Sequence, residues 1–466
     1  MTKWRPNPRL IKRPAYLSIA EQIAGAVRDG LLIDGMRLPP QRQMAADLKI
    51  SVQTVSRAYE ELSRRGLVTG EVGRGSYIKA SSSAPERPHL TEGTSGVVDL
   101  SILKPVCESR SLGRFRNAFA ELGATMPPDL AFSMIPNALF RRYRMAGVSW
   151  LAACGLKAPP HGVTVTNGSS DAMTAAFMSV APPGSAMAAE DLTHPMARPL
   201  AGYLGIDLES VPTDAEGILP SALEALAARK RLRAIFLQPS AAGPRGTVTS
   251  APRRRAIAGI ARRFDLAIIE NDVLGPLVEN RPPPLAAFAP ERTLYMTDLS
   301  KNTIPGLRCG FLVAPDRYAA VVSNRYLAAN WIATPVMAEI ASRWIVDGTA
   351  MELVNWQRMA LKRRRAIADK ELSGIACAMT PGALHVWIPL PEGTNEAAFV
   401  DRARHRGVAV AAGSSFRAGR EPTAPAIRVA LAASSEIELS SSLALIAAML
   451  QGESKPRRAA RVAENG

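Results

Sequence analysis

Along the first eighty positions, apolar residues recur with a helical period and are cut by helix breakers. Tyr16, Ile19, Ala20, Ile23 and Val27 form one stripe that ends at Gly30, which predicts a helix over this stretch. Leu38-Pro39-Pro40 then interrupts the chain, and Gln41 to Leu48 reads as a short second helix. After the Lys49-Ile50 turn, Ser51 is suited to cap a third helix, because a serine side chain can accept a backbone N–H of the first turn. That helix sets Val55, Ala58, Tyr59 and Leu62 on one face and stops at Gly66. From Leu67 to Ile78 the pattern changes to alternation around Gly73 and Gly75, as two short strands and a turn require. Three helices followed by a β-ribbon outline a winged helix-turn-helix domain, placed at residues 12–80.

Residues 81–96 are rich in Ser, Pro, Glu, Thr and Gly and have no apolar period, so they read as a linker. Beyond them, short apolar runs alternate with helical segments. Gly162–Thr166, Arg233–Leu237, Leu266–Ile269 and Thr293–Thr297 are predicted strands. Strand–helix alternation of this kind predicts an α/β domain with a mainly parallel sheet over residues 97–452. The last stretch, 453–466, is basic with little apolar content and is expected to be a disordered tail.

Charge sharpens this picture. The chain of 466 residues carries a formal charge of +16, which favours polyanionic partners. Residues 1–80 contain 14 Lys/Arg against 7 Asp/Glu, so about +7 of that charge falls on the small domain. An anionic membrane is the weaker partner, because no apolar run approaches the roughly 18 residues that span a bilayer. No apolar signal core follows Met1. The four cysteines, Cys107, Cys154, Cys309 and Cys377, are far apart and form no Cys-x-x-Cys pair. They are expected to be free thiols in a reducing cytoplasm, and no metal site is expected.

In a helix-turn-helix the third helix enters the major groove and its N-terminal residues meet base edges. Here those residues are Ser51, Gln53, Thr54 and Arg57. A glutamine can pair bidentately with adenine and an arginine with guanine. Arg42, at the start of the preceding helix, can clamp a phosphate or reach a base. Gly73-Arg74-Gly75 lets a wing turn tightly and lowers Arg74 toward a minor groove. The strings Leu38-Pro39-Pro40-Gln41-Arg42, Ser51-x-x-Thr54-Val55-x-Arg57-Ala58-Tyr59-x-x-Leu62 and Gly73-Arg74-Gly75-Ser76-Tyr77 resemble the GntR family of regulators. The resemblance covers nearly all of residues 12–79 and implies binding to double-stranded operator DNA.

Three spots in the larger domain carry different chemistry. In Asp298-Leu299-Ser300-Lys301, a lysine follows a predicted strand, with Arg308 seven positions on. A lysine amine can form a Schiff base with an aldehyde cofactor, and an arginine can pair with that cofactor's phosphate. Leu266 to Asp272 is an apolar strand ending in Glu270, Asn271 and Asp272, at the end where α/β ligands sit. Asp272 there could keep a pyridine nitrogen protonated. Asn167-Gly168-Ser169-Ser170 precedes a helix whose N-terminal amides can cradle a phosphate.

In this order the three spots resemble the pyridoxal-phosphate enzymes of aminotransferase fold type I. The whole chain resembles the MocR/GabR-type subfamily of GntR regulators, in which such a domain senses an effector. The resemblance implies pyridoxal 5′-phosphate on Lys301, Asp272 as pyridinium partner, and a phosphate held by Gly168, Ser169, Ser170, Ser300 and Arg308. It also implies Arg428 as the residue for an effector carboxylate, a head-to-tail homodimer, and an amino acid or amine effector. The chain departs from the family's pattern in three places. His194 stands where an aromatic residue stacks on the ring. Gly243-Pro244-Arg245-Gly246 replaces Asn-Pro-Thr-Gly. Leu274 replaces a tyrosine. These departures predict cofactor binding with poor or absent steady-state transamination. The alternative is an aminotransferase with a DNA-binding appendage.

Overall fold

The computed structural model describes residues 4–28, 31–32, 36–64, 67–71, 75–78, 96–134, 137–419 and 421–453. The chain divides into two units, Met1–Arg87 and Pro88–Gly466.

In the first unit, α1 (Ala15–Arg28), α2 (Gln41–Leu48) and α3 (Val52–Arg64) are followed by β1 (Val68–Glu71) and β2 (Gly75–Ile78), an antiparallel pair. Each helix contributes its apolar face to one core. Ile19, Ile23, Leu38, Met44, Val55, Tyr59 and Leu62 are buried together. Lys49 takes a left-handed conformation (φ 54°) and so closes α2 sharply. Ser51 then caps α3, its Oγ accepting the Thr54 N–H at 3.1 Å. The buried Tyr59 hydroxyl donates to the Pro39 carbonyl at 2.8 Å and ties α3 to the Leu38-Pro39-Pro40 break. The ribbon is fastened by Leu38 N–H to Ser76 O (2.9 Å) and Ile78 N–H to Met36 O (2.8 Å). The expected winged helix is therefore formed. Arg74 lies outside the described residues, and Gly75 opens β2.

The second unit is built on a seven-stranded sheet. Its elements in chain order are α4 (Asn137–Ala153), β3 (Val163–Thr166), α5 (Ser169–Val180), β4 (Ala186–Glu190), β5 (Asp207–Val211), β6 (Leu232–Leu237), α6 (Ala251–Arg263), β7 (Ala267–Asn271), β8 (Thr293–Asp298), β9 (Gly310–Val313) and α7 (Asp316–Asn330). The strand order is β3-β9-β8-β7-β6-β4-β5, with β9 alone antiparallel to its neighbours. Side chains alternate across the sheet. Ile269, Leu294 and Met296 pack on one face with Phe177 of α5 and Val322 and Tyr326 of α7. On the other face, Tyr295 packs with Trp150 of α4, and Ile268 packs with Ile257 and Ala258 of α6. Both faces are covered, which is why these strands read as continuous apolar runs. The four strands expected from sequence appear within one or two residues at each end.

A smaller sheet follows, formed by β10 (His385–Pro389), β11 (Ala411–Ala412) and β12 (Ala426–Ala430) in the order β10-β12-β11. It carries Arg428 in its middle strand. Helix α8 (Glu436–Glu453) closes the described chain, so residues 454–466 of the expected tail fall outside it. Among the described residues, no helix is long and apolar enough to cross a membrane.

Tyr59→Phe tests the tie between α3 and the proline turn. It leaves the buried Pro39 carbonyl without its donor and is expected to destabilise the small unit by about 1–2 kcal/mol, read from its thermal or urea unfolding.

Candidate functional site

In a parallel sheet the loops at the carboxyl ends of the strands build the ligand site. Here the ends of β3, β7 and β8 deliver Gly168-Ser169, Asn271-Asp272 and Asp298–Lys301. The Lys301 loop is pinned by Asn302, whose amide donates to the Val273 and Asp298 carbonyls at 3.0 and 2.6 Å. The Lys301 amine donates to the Leu103 carbonyl. Burial pushes its pKa below that of an ordinary lysine. The Asp298 carboxylate opposes that shift, and the nearby Arg428 and Arg308 guanidiniums add to it.

Arg428 is buried in β12. Its Nη2 donates to the Ser101 carbonyl at 2.6 Å, and its guanidinium lies 4.6 Å from the centre of the Phe416 ring. Its Nε has no partner. Burial brings its pKa down to about 10. His194 sits in the same electrostatic neighbourhood. Burial, with the Lys301 and Arg428 charges, lowers its pKa to about 3, so the ring is neutral. Its Nδ1 accepts the Met196 N–H at 3.1 Å, which places the proton on Nε2. A neutral imidazole held by its backbone suits the stacking role expected of it.

Gly168 precedes α5 with φ 87°, a conformation that suits glycine. A Cβ there would come within 2.9 Å of Arg308 Nη2, so only a glycine lets this guanidinium lie against the helix start. Arg308 Nη2 donates to the Asn167 carbonyl at 2.9 Å. The Ser169 N–H points to Asp298 Oδ2 (3.2 Å). Ser170 is exposed on the first turn, and the Ser300 hydroxyl is buried without a partner.

Asp272 closes β7 in a buried ion pair. Its Oδ2 accepts the Tyr295 hydroxyl at 2.6 Å and pairs with Arg281 Nη2 at 2.9 Å, while Arg281 also donates to the Cys154 carbonyl at 2.6 Å. This cluster lies on the sheet face lined by Tyr295 and Trp150. Alternation along β7 turns Asn271, not Asp272, toward the face that carries α5. Both side chains are buried, and Asn271 Oδ1 and Asp272 Oδ1 are each without a partner. One Asp272 oxygen is therefore held in an ion pair while the other is left unsatisfied.

Two departures from the family pattern also find their places. Arg245 makes a double contact with Asp191 (2.8 and 3.0 Å) and bonds Thr213 (2.5 Å), so its charge is neutralised locally. Leu274 is fully buried in the core. Sequence reasoning missed Asp298, Asn271 and Arg281. An acid closing an otherwise apolar strand three residues before the lysine was the available signal for the first.

In the small unit, Arg42, Ser51, Gln53 and Arg57 are exposed and Thr54 is half-buried. The Ser51 and Thr54 hydroxyls bond each other (2.8 Å) at the start of α3. The Arg57 guanidinium lies 4.6 Å from the centre of the Tyr16 ring, a cation–π contact that pre-orients it.

Comparison with known proteins accords with this geometry. Residues 150–444 match the family Aminotransferase class I and II, and residues 15–78 match the bacterial regulatory proteins of the gntR family. The chain belongs to the aminotransferase class I and II family and carries a gntR-type domain in front of it, the MocR-type architecture. It is similar to the HTH-type transcriptional regulator YdeF of Bacillus subtilis, at 26% identity over 93% of this chain and 94% of that one. It is also similar to the pyridoxine biosynthesis regulator PdxR of Corynebacterium glutamicum, at 27% identity covering 77% and 78% of the two chains. A third relative is the vitamin B6 salvage pathway repressor PtsJ of Salmonella typhimurium, at 26% identity over 82% and 87%. Among solved structures, kynurenine aminotransferase of Pyrococcus horikoshii superposes with a TM-score of 0.70 at 20% identity, covering 78% of this chain and 92% of that one, which establishes the fold.

Arg281→Met would strand the buried Asp272 carboxylate. It is expected to cost about 3–5 kcal/mol in chemical denaturation, more than the double variant Arg281→Met/Asp272→Asn, which removes both charges.

Proposed function

We propose that this protein is a DNA-binding transcription regulator whose aminotransferase-like domain binds a cofactor of the pyridoxal phosphate class at Lys301 and senses an amino acid or amine there. The observation that carries the reading is a half-buried lysine amine, depressed in pKa and bonded to the Leu103 carbonyl two residues from the one that holds the buried Arg428, in a chain that also bears a gntR-type domain. The residues present suit such a group. Lys301 is the attachment amine, His194 is a neutral ring for stacking, and Ser169, Ser170, Ser300 and Arg308 surround Gly168 at the phosphate end. The unpartnered Ser300 Oγ and Arg428 Nε are polar atoms that a ligand would satisfy. The names of PdxR and PtsJ, both tied to vitamin B6, support the same ligand class.

When bound, the cofactor supplies an aldehyde carbon open to amines and an electron-withdrawing ring. Lys301 offers its amine in the neutral form at lower pH than an ordinary lysine. Arg428 orients a ligand carboxylate by a charge-assisted pair. Asp272, whose buried Oδ1 has no partner, would hold the proton on the ring nitrogen. Signalling follows from linkage, since an effector that binds two conformations unequally shifts the population competent for operator. A head-to-tail homodimer, common to the aminotransferase fold, would present two small units to paired half-sites. In each, Gln53 and Arg57 read bases while Arg42 and Arg74 hold backbone or groove. Ser51 and Thr54 position the helix that carries them.

Borohydride treatment of the protein mixed with pyridoxal 5′-phosphate should add the cofactor's mass to the Lys301 peptide. Operator affinity, titrated with amines and amino acids, should respond to one class of them. Lys301→Ala should lose the added mass and the response together. Absence of added mass in the unmutated protein would remove the sensor reading, and sustained transamination at enzyme-like rates would favour an aminotransferase with a DNA-binding appendage. Arg57→Ala should cost about 1–3 kcal/mol of operator binding and relax preference at one base position. An equal loss on every sequence would reassign Arg57 to the phosphate backbone.

A further inference from the structure

The amides at the start of a long helix attract anions, because the first turn leaves its N–H groups without intrahelical partners. In this pocket that attraction is already answered from within the chain. Asp298, fully buried at the end of β8, accepts the Ser169 N–H of α5 through Oδ2 at 3.2 Å. Its Oδ1 accepts the Lys301 N–H at 3.1 Å. Those amides belong to the two segments that, with Arg308, surround the phosphate end of the site. A carboxylate in their midst takes up donor capacity that a phosphate would use. It also sets a negative charge against an incoming dianion in a water-poor place, where like charges repel strongly. Next to it, the buried Ser300 hydroxyl has no partner and can serve a neutral hydroxyl as donor or acceptor.

We propose that Asp298 is the resident anion of this seat and sets the pocket's ligand preference, so that a phosphate adds little and an unphosphorylated carbonyl compound of the pyridoxal class, bearing a neutral hydroxymethyl group, binds comparably. This rests on the reading of Lys301 as the attachment residue. It differs from that reading in what it requires of the phosphate end.

The test compares pyridoxal with pyridoxal 5′-phosphate on the full-length protein, following ligand absorbance for affinity and borohydride-captured mass at Lys301 for site. The unmutated protein is expected to bind the two within about threefold of each other, since the phosphate gains few unshared donors. Asp298→Ser empties the seat, and Asp298→Asn keeps the shape while removing the charge. Each is expected to raise the preference for the phosphorylated ligand by about tenfold or more, the worth of one or two charge-assisted hydrogen bonds. Pyridoxal itself should shift much less. A strong preference for the phosphorylated ligand in the unmutated protein, left unchanged by both substitutions, would overturn the proposal while leaving Lys301 as the attachment residue. Absence of capture at Lys301 with either ligand in all three proteins would overturn the attachment reading, and this proposal with it.

Discussion

A half-buried lysine amine in the field of two guanidiniums is the constraint on which the rest of the larger domain turns. Lys301, Arg428 and Arg308 bring three cationic groups into one neighbourhood, and desolvation makes the first two charges costly there. The chain meets this in three ways. Lys301 loses part of its affinity for a proton. Arg428 spreads its charge over the Phe416 ring and the Ser101 carbonyl. Asp298 supplies an internal counter-charge while it fastens the lysine loop to the first turn of α5. His194, pressed by the same cations, stays neutral. The pocket is thus polarised toward ligands that bring electron density to it.

The outline of both units was legible because their patterning is strong. The stripes at Tyr16–Val27 and Val55–Leu62, and the apolar runs of the central strands, each have one arrangement that buries them. Single side chains at strand ends were less legible. Which of Asn271 and Asp272 joins the face of Tyr295 and Trp150 depends on the pleat of β7, and a shift of one residue inverts the answer. The sequence shows both residues and not their faces. The partners that hold Asp272, namely Arg281 and Tyr295, come from a loop and a neighbouring strand that only the fold brings together. Arg245 is similar, since its partner Asp191 lies 54 positions away. In the small unit, the bond between the Ser51 and Thr54 hydroxyls joins two side chains whose local partners the sequence does not show.

These local outcomes bear on what the domain has kept from its family. Lys301, the arginine seven residues on and the buried β12 arginine are in place together. A leucine buried in the core stands at position 274. They sit in a chain that carries a gntR-type domain in front of the aminotransferase fold.

The carbonyls of Ser101 and Leu103 are the present partners of Arg428 and Lys301. Both belong to one short run of backbone just after the segment that leads from the DNA-binding unit. A ligand that claims those two cationic side chains leaves the same run without its donors. That run and the ligand are then rivals for one pair of hands, and the rivalry is settled within the larger domain, where the same backbone is also tied to Gly407 and Ala409.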